Sequence, residues 1–422
     1  NHRQFVTSRR SHRTSRRERT LAIEPLESRQ LLSVVGAQPE LRTAPAITAQ
    51  PPDALQTAAE VVGAGVLSQS SLAVPPLSSN PDATAKIYLD FDGHFESTWG
   101  TYSGISTPVF SLDSDLTSFS TSEIAAINQI WARVSEDYAP FDIDVTTIEP
   151  ASFADKMGLR VSIGGNGSWY GSAGGVAYVG SFTNYIVNTV YIFPQQLANS
   201  AKYIAEASSH ESGHAFGLRH QSRYDANGTK TEEYHTGDGD WAPIMGTSYY
   251  KTRTTWHNGT STIAATIYQD DMAVISNTTN GFGYRADDHG SASKPTPLVF
   301  SGNTATASGI IEKMDDQDAF SFSTTGGSVT ITQNVAAIGA NLDSTLELRT
   351  ATGTIIASAN PSTSYGATIT ATLDAGDYTI VTASAGQYGS VGQYTVSVTT
   401  STAPANQAPQ AADATFSVAE NA

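Results

Sequence analysis

The stretch that decides the fold is His210-Glu211-Ser212-Gly213-His214-Ala215-Phe216-Gly217-Leu218-Arg219-His220. His210 and His214 are four residues apart, so on a helix they project from the same face, about one turn apart. Gly217 can adopt the left-handed backbone that ends a helix, and the chain can then turn His220 back towards the first two imidazoles. The stretch therefore predicts a helix that ends at a glycine and carries a metal site.

The residue types at these spacings indicate zinc. Three neutral imidazoles leave the fourth tetrahedral position open to water, which is the arrangement of a catalytic zinc site. Glu211 directly follows the first ligand on the same helix, so its carboxylate can hydrogen-bond a metal-bound water without itself binding the metal. We predict that His210, His214 and His220 bind Zn²⁺ and that Glu211 is the catalytic general base. Ser212 is an alternative nucleophile, but it lacks a base at a recognisable spacing.

A second element follows downstream, in Trp241-Ala242-Pro243-Ile244-Met245-Gly246. The pattern H-E-x-x-H-x-x-G-x-x-H, followed by a methionine in a tight turn, resembles the metzincin clan of zinc endopeptidases. The resemblance covers residues 84–285 and implies a zincin-like (metzincin) α+β catalytic domain, with a mixed twisted sheet and an active-site helix. It makes Met245 the Met-turn residue beneath the metal.

The subfamily stays open between reprolysin-like and matrixin-like enzymes. Gln221 follows the third histidine, where the named groups usually have Asp, Glu, Ser or Pro. Tyr249 and Tyr250 lie four and five residues after Met245 rather than two. A tyrosine fifth ligand is therefore not predicted.

Periodicity predicts a strand, a helix, four further strands and the active-site helix. Their ranges are Lys86–Phe91, residues 121–138 after the capping residue Ser120, Phe141–Thr147, Leu159–Ile163, Val176–Val179, Thr189–Phe193 and Ala205–Phe216, with Ser200 as the expected cap. Tyr268–Ser276 suggests a closing helix. The same order occurs in the upper subdomain of metzincins.

In that clan the edge strand before the last one lines the substrate cleft. By position, the expected substrate-binding residues are Gly174, Gly175, Val176, Ala177, Tyr178 and Val179. An exposed edge offers unpaired N–H and C=O groups to an extended chain, so the predicted substrate is a polypeptide. An ordinary sheet edge is the alternative.

Composition limits the possible function classes. The 422 residues allow more than one domain, and only 15% are charged, below the usual value of about 25%, which favours β-rich extracellular modules. The formal net charge of −17 makes nucleic acid an unfavourable partner. The absence of cysteine excludes disulfides and a cysteine latency switch. The sequence contains no run of 18 apolar residues, so no transmembrane helix is predicted.

The N-terminal region predicts export. Residues 1–35 are basic, and Leu21–Ser33 resembles the LEPR-x-LL type signature of large exported bacterial surface proteins, although Ile23 replaces the usual leucine. A nucleic-acid-binding tail is the alternative. Residues 36–83 have the composition of a disordered linker or a propeptide remnant. We therefore expect a secreted or cell-surface bacterial protein.

The C-terminal region changes to a period of two, which predicts a β-sandwich over residues 298–400 after a linker at 286–297. The segments Asp315–Phe322 and Leu373–Ile380 resemble the pre-peptidase C-terminal domain of secreted bacterial proteases. Asp316 and Asp318 are candidate cation ligands, but solvated turn acids are the favoured interpretation. Residues 401–422 resemble a linker and the start of a truncated cadherin-like repeat.

Taken together, these patterns predict a secreted or surface zinc metalloendopeptidase. The acidic loop at 225–240 is a candidate Ca²⁺ site, a cleft wall or simply a solvated loop. One alternative function is an inactive surface adhesion or scaffold protein, whose β-modules bind cell-surface components. Metal-dependent hydrolysis of a non-peptide amide is a further alternative.

Overall fold

The computed structural model describes residues 72–401 and the backbone of a strand at Ile23–Glu27. The rest of the predicted export segment, residues 36–71 of the predicted linker, and the predicted cadherin-like start after Ser401 lie outside the described residues. Within the described part, no helix is both long and apolar enough to cross a bilayer.

The N-terminal part is built on a mixed sheet. Its first eight strands along the chain are β1 (Ile23–Glu27), β2 (Ala85–Asp90), β3 (His94–Trp99), β4 (Tyr102–Thr107), β5 (Ile143–Thr146), β6 (Gly158–Ile163), β7 (Ala173–Tyr178) and β8 (Thr189–Ile192). Six of them form a sheet in the order β1-β7-β8-β6-β2-β5, and β3 and β4 form a separate hairpin. The strands from β8 to β5 pair in parallel, whereas β7 is antiparallel to both of its neighbours.

Two helices pack against each other beside this sheet. Helix α1 (Thr121–Tyr138) has the predicted bounds, and Ser120 and Glu123 form the predicted capping box. Helix α2 (Ala201–Ala215) contains the first two histidines of the metal motif, and almost all of it is buried. The expected cap of α2 is wrong in one respect, because the Ser200 side chain makes no capping hydrogen bond.

The closing helix predicted at Tyr268–Ser276 forms after α2, but it is shorter than predicted and covers Asp271–Ile275. The segment after α2 holds short strands, β9 (Arg223–Tyr224), β10 (Lys230–Glu232), β11 (Trp241–Pro243), β12 (Arg253–Thr255), β13 (Asn258–Thr260) and β14 (Tyr268–Asp270), and then this helix, α3 (Asp271–Ile275). Residues 268–270 pair with β13 instead of forming a helical turn. The Asp270 side chain accepts a hydrogen bond from Ala273 N at 2.9 Å, so α3 begins only after it.

The described residues include 72–83, which lie before the expected boundary at 84. Asp144 accepts hydrogen bonds from Ser78 Oγ, Ser79 N and Asn80 N, at 2.8 to 2.9 Å. The last part of the predicted linker is therefore fixed to the edge of the sheet at β5. The β3–β4 hairpin was not predicted, although buried Trp99 anchors it by donating from Nε1 to Thr189 O at 2.8 Å.

The C-terminal part is a β-sandwich of two five-stranded sheets. Its strands are β15 (Thr296–Pro297), β16 (Phe300–Ser301), β17 (Thr304–Ile311), β18 (Gln317–Thr324), β19 (Gly327–Val335), β20 (Ser344–Thr350), β21 (Ile355–Ala359), β22 (Ala367–Leu373), β23 (Gly376–Ser384) and β24 (Gly392–Thr400). The sheet orders are β15-β18-β23-β20-β21 and β16-β17-β24-β19-β22. The alternating apolar residues of these strands fill the space between the sheets. We call residues 296–400 the sandwich.

Candidate metal centre

Helix α2 and the turn after it bring the three motif histidines together. Gly217 has a φ of +106°, as the sequence predicts, and Leu218 N donates to Gly213 O at 3.0 Å to close the end of the helix. The ring centroids of His210 and His214 are 4.7 Å apart, and His220 lies 4.9 Å from His214. One ring nitrogen from each histidine lies within 4.8 Å of the other two. All three side chains are buried.

Backbone carbonyls fix the orientation of two of the imidazoles. His210 Nδ1 donates to Ile244 O, and His214 Nδ1 donates to Leu218 O, both at 2.8 Å. Because a carbonyl can only accept, the proton is on Nδ1 and the Nε2 lone pair points inward. His210 Nε2 is buried without a hydrogen-bond partner, and the Nε2 atoms of His214 and His220 are 3.2 Å apart. This donor set fits a tetrahedral zinc ion.

The imidazoles are also held in the neutral form that can bind a metal. Burial, with a smaller contribution from His220, lowers the pKa of His210 to about 3. Burial and the two neighbouring imidazoles lower the pKa of His214 well below its ordinary value. Protons therefore do not compete with a metal for these two nitrogens near neutral pH.

The carboxylate of Glu211 lies under strand β7. Glu211 is fully buried, and a Cβ added to Gly175 would lie only 2.8 Å from Glu211 Cγ and 2.9 Å from Oε1. The backbone of Gly175 therefore passes directly over the carboxylate, so close that a side chain at position 175 would collide with Glu211. Strand β7 and the candidate base therefore meet at this glycine.

Met245 lies in a buried turn beneath the helix. A Cβ on Gly213 would be 2.7 Å from Met245 Sδ, so the sulfur packs against the helix backbone between the first two histidines. The turn is closed by a hydrogen bond from Gly246 N to Pro243 O at 2.9 Å. Gln221 N donates to Met245 O at 2.9 Å, which ties the turn to the residue after the third histidine.

The predicted substrate-binding residues lie on and just after β7. Gly174 to Tyr178 belong to the strand, and Val179 follows it. On one side β7 pairs with β8, and on the other it pairs antiparallel with β1. Pro25 lies opposite Val176, and the register shifts between Pro25 and Glu27. The outer edge of β7 is thus paired with an extended segment of the same chain.

Two residues near the third histidine were not predicted as site residues. Glu233 Oε1 lies 3.3 Å from His220 Nδ1, and the ring of Tyr234 packs against His220 at a centroid distance of 4.1 Å and an interplanar angle of 40°. Hydrogen bonding to His220 is the main reason that the pKa of Glu233 is lowered to about 2. Both residues lie in the acidic loop at 225–240, and no spacing in the sequence connects them to His220.

Tyr249 also approaches the site. Its hydroxyl is buried without a hydrogen-bond partner among the described residues. The hydroxyl lies close to β7, because a Cβ added to Gly174 would be 3.3 Å from it. Burial and then the charge of Glu211 raise its pKa well above the ordinary value. His235 and His257 lie apart from the three motif histidines and pack against Trp241.

The acidic residues divide into two regions with different surroundings. In the loop at 225–240, Asp225 accepts from backbone N–H groups of its own turn, and Asp238 pairs with Arg223 at 2.7 Å. Among the described residues, the acidic groups close enough to share a cation lie instead where the linker at 286–297 meets the sandwich. They are Asp287, Asp288 and Asp318, and the overlapping set Asp287, Glu312 and Asp316.

The expectation that Asp318 is a solvated turn acid is wrong. Asp318 is fully buried, and its Oδ2 accepts from the Tyr394 hydroxyl at 2.6 Å. Among the residues that the structure describes, neither Asp318 Oδ1 nor Oε1 of buried Glu312 has a hydrogen-bond partner. Burial raises the pKa of Asp318 to about 8 and, together with hydrogen bonding to Asp316, raises that of Glu312 to about 9. Alternation along β18 turns Asp318 inward, which the sequence pattern of a turn does not reveal.

No protein-family model matches the chain, and no curated protein matches it. Among solved structures, the pre-peptidase C-terminal domain of a collagenase from Bacillus anthracis matches with 14% identity and a TM-score of 0.21, over 27% of this chain and 97% of that one. PliG from Aeromonas hydrophila, a periplasmic inhibitor of g-type lysozyme, matches with 12% identity and a TM-score of 0.20, over 25% of this chain and 94% of that one. The assignment of a β-sandwich therefore depends on the strands described above.

Proposed function

We propose that this chain is a zinc-dependent endopeptidase of the metzincin type, secreted or exposed at a bacterial surface. The observation that carries the proposal is the convergence of three buried imidazole nitrogens beside buried Glu211. The mixed sheet with helices α1 and α2 supports the zincin-like catalytic domain that the sequence resemblance implies. The subfamily, reprolysin-like or matrixin-like, is left open.

The chemistry follows from the donor set and the carboxylate. Zinc bound by the three imidazoles would lower the pKa of a coordinated water and polarise the carbonyl of a bound peptide. Glu211 would accept a proton from the attacking water and return it to the nitrogen of the leaving amine. Met245 supports the helix from below, and the carbonyls of Ile244 and Leu218 hold two imidazoles in the metal-binding tautomer.

The pairing of strand β7 supports a polypeptide substrate. Its outer edge already accepts one extended segment, β1, in antiparallel register. A substrate peptide would use the same backbone groups of Gly174 to Val179, and its chain would then pass over Gly175, directly above Glu211. Backbone pairing positions a peptide without regard to its side chains.

A divalent cation, Ca²⁺ by the chemistry of its ligands, is proposed at the acidic group of the sandwich. The unpartnered oxygens of Asp318 and Glu312 face acidic neighbours, an arrangement that is costly without a cation. Cell-surface components are the proposed partners of the sandwich itself. The acidic loop at 225–240 is better explained as the wall that holds Glu233 against His220.

The test is hydrolysis of a quenched peptide mixture by the purified chain, with and without a zinc chelator. We expect activity that the chelator removes and zinc restores, and a loss on the order of 10²- to 10⁴-fold in Glu211→Ala with zinc still bound. Ser212→Ala is the matched control, since it removes the neighbouring hydroxyl and should retain activity.

Activity that survives both the chelator and Glu211→Ala would contradict the zinc mechanism. Loss of activity in Ser212→Ala alone would point to a serine nucleophile. A folded, zinc-loaded chain that cleaves no peptide would favour the adhesion or scaffold function, and a screen of non-peptide amides would separate the remaining alternative.

A further inference from the structure

We propose that the sandwich is a structural part of the metal centre, and that Asn341 is the positioning residue that links it to His210. This inference rests on the proposed zinc function. Asn341 lies in the loop between β19 and β20 and is 2% exposed. Within the described part of the chain, its hydrogen bonds go to the N-terminal part, along two separate routes that meet at the first histidine.

The backbone and side chain of Asn341 bind two neighbouring acids at the end of α1. Asn341 N donates to Glu136 Oε1 at 3.2 Å, and Asn341 Nδ2 donates to Asp137 Oδ1 at 2.8 Å. Glu136 also accepts from N and Nε2 of Gln393, at 3.2 and 3.1 Å. Because both acids are buried, these donors supply hydrogen bonds that solvent cannot provide.

The first route runs from Asp137 into the active-site helix. The second carboxylate oxygen of Asp137 accepts from Ser209 Oγ at 2.6 Å, and Ser209 directly precedes His210. The neighbouring Tyr138 donates from its hydroxyl to Ser209 O at 3.0 Å. The Asp137 carboxylate is thus held between the sandwich amide and the helix residue beside the first histidine.

The second route runs through the strand beside the methionine turn. Asn341 O accepts from Arg253 Nε and Nη2, at 3.0 and 2.7 Å, and Arg253 begins strand β12. At the other end of β12, Thr255 O accepts from Ile244 N at 2.9 Å. Ile244 O in turn accepts from His210 Nδ1 at 2.8 Å, the hydrogen bond that fixes the imidazole tautomer.

Removing the Asn341 amide would disturb the first route directly. Asp137 would keep its bond to Ser209 but would have one buried carboxylate oxygen without its present partner, close to buried Glu206. A buried polar atom without a partner is costly whether or not the carboxyl group is ionised, so the Asp137 side chain is expected to shift and to pull on Ser209. Changes in groups that orient metal ligands weaken metal binding about 10- to 100-fold, and Asn341 acts one step further away.

The experiment compares zinc affinity in the full chain and in Asn341→Ala, by competition with a chromophoric chelator well below the melting temperature. We expect zinc binding to weaken by about 3- to 10-fold, with kcat reduced more than KM is raised. Gln333→Ala is the matched control, because Gln333 is also buried and donates to Thr382 inside the sandwich. The control should lower the melting temperature without changing zinc affinity.

A double-variant cycle tests the route itself. If Asp137 transmits the effect, Asn341→Ala and Ser209→Ala should weaken zinc binding by less in combination than the product of their separate effects. Fully independent effects would overturn the proposed coupling. If Asn341→Ala does not fold, Asn341→Ser replaces it, because it retains the backbone contacts and a small polar side chain.

The outcomes separate this inference from the function it rests on. A folded wild-type chain that binds no zinc would remove the proposed function. A wild-type chain that binds zinc, together with a less stable Asn341→Ala that binds it equally well, would overturn the positioning role and leave the function intact.

Discussion

At the residue scale, the candidate site depends on groups that orient the three imidazoles. Two backbone carbonyls hold His210 and His214 by Nδ1, whereas His220 faces the carboxylate of Glu233 at 3.3 Å. A carboxylate that accepts from an imidazole N–H raises the basicity of the other nitrogen and fixes the ring. Glu233 is itself held by Lys230 at 2.6 Å.

Glu233→Gln is expected to weaken zinc binding about tenfold, because the amide is a poorer acceptor for the His220 N–H than the carboxylate. Chelator competition measures the change. Glu232→Gln is the matched control, since Glu232 accepts from Thr236 N and Oγ1 and contacts none of the three histidines in the described structure. Equal zinc affinity in the two variants would show that Glu233 does not orient His220.

At the element scale, strand β7 connects the sheet to the site. It presents a glycine over Glu211 on one face and pairs with β1 along its outer edge. A peptide substrate and the N-terminal segment would use the same backbone groups, so they should compete for them. Occupation of this edge by the chain itself is therefore expected to weaken the binding of other peptides.

Removal of residues 1–71 should lower KM for peptide substrates several-fold, up to about tenfold, since the β7 edge no longer pairs with β1. The value of kcat and the zinc content should stay unchanged, because the metal ligands and Glu211 lie outside the deleted region. Steady-state kinetics with the quenched peptides measures both parameters. An unchanged KM would mean that β1 does not compete with substrate.

The acidic group of the sandwich gives a prediction about pH. Since Asp318 and Glu312 have pKa values raised to about 8 and about 9, the metal-free folded state binds more protons than the unfolded state above about pH 4. Its stability should therefore fall as pH rises from about 5 to 9. Added Ca²⁺ should remove this decline by pairing the ionised carboxylates.

Thermal unfolding of the metal-free protein across this pH range, with and without Ca²⁺, measures the effect. Asp318→Asn should weaken both the pH dependence and the response to Ca²⁺, and the part that remains is assigned to Glu312. A melting temperature that rises with pH in the absence of Ca²⁺ would contradict the assignment of these carboxyls.

At the scale of the whole molecule, the sandwich and the N-terminal part share buried contacts. Arg253 donates to Asn341 O and to Gln387 Oε1, and Met272 N donates to the hydroxyl of Tyr388 at 3.1 Å. Apolar side chains of both parts belong to one contiguous cluster. Polar and apolar contacts of this kind favour unfolding as one cooperative unit.

Calorimetry of the full chain should accordingly show one unfolding transition that includes both parts. Arg253→Met removes the donors to Asn341 and is expected to lower the melting temperature or to separate the transition into two. Arg349→Met, which removes an ion pair with Glu347 within the sandwich, is the control and should have little effect. Two separate transitions in the wild-type chain would contradict the shared core.

The sequence by itself predicted the local features of this protein. The spacing of His210 and His214, the capping box of α1, the left-handed Gly217 and the alternating strands of the sandwich follow from helical and strand periodicity and from backbone sterics. These features depend on residues that are close in the chain, so their patterns are visible without a fold.

Only the tertiary structure decided the contacts between distant segments. It placed Glu233 against His220, Gly175 over Glu211 and Asn341 against Asp137, and it brought Asp318 close to Asp287 and Asp288. The predicted helix at Tyr268–Ser276 formed only over Asp271–Ile275, because β13 supplied residues 268–270 with strand hydrogen bonds that local propensity does not include. Long-range hydrogen bonding and burial determine such contacts, and no periodicity along the sequence records them.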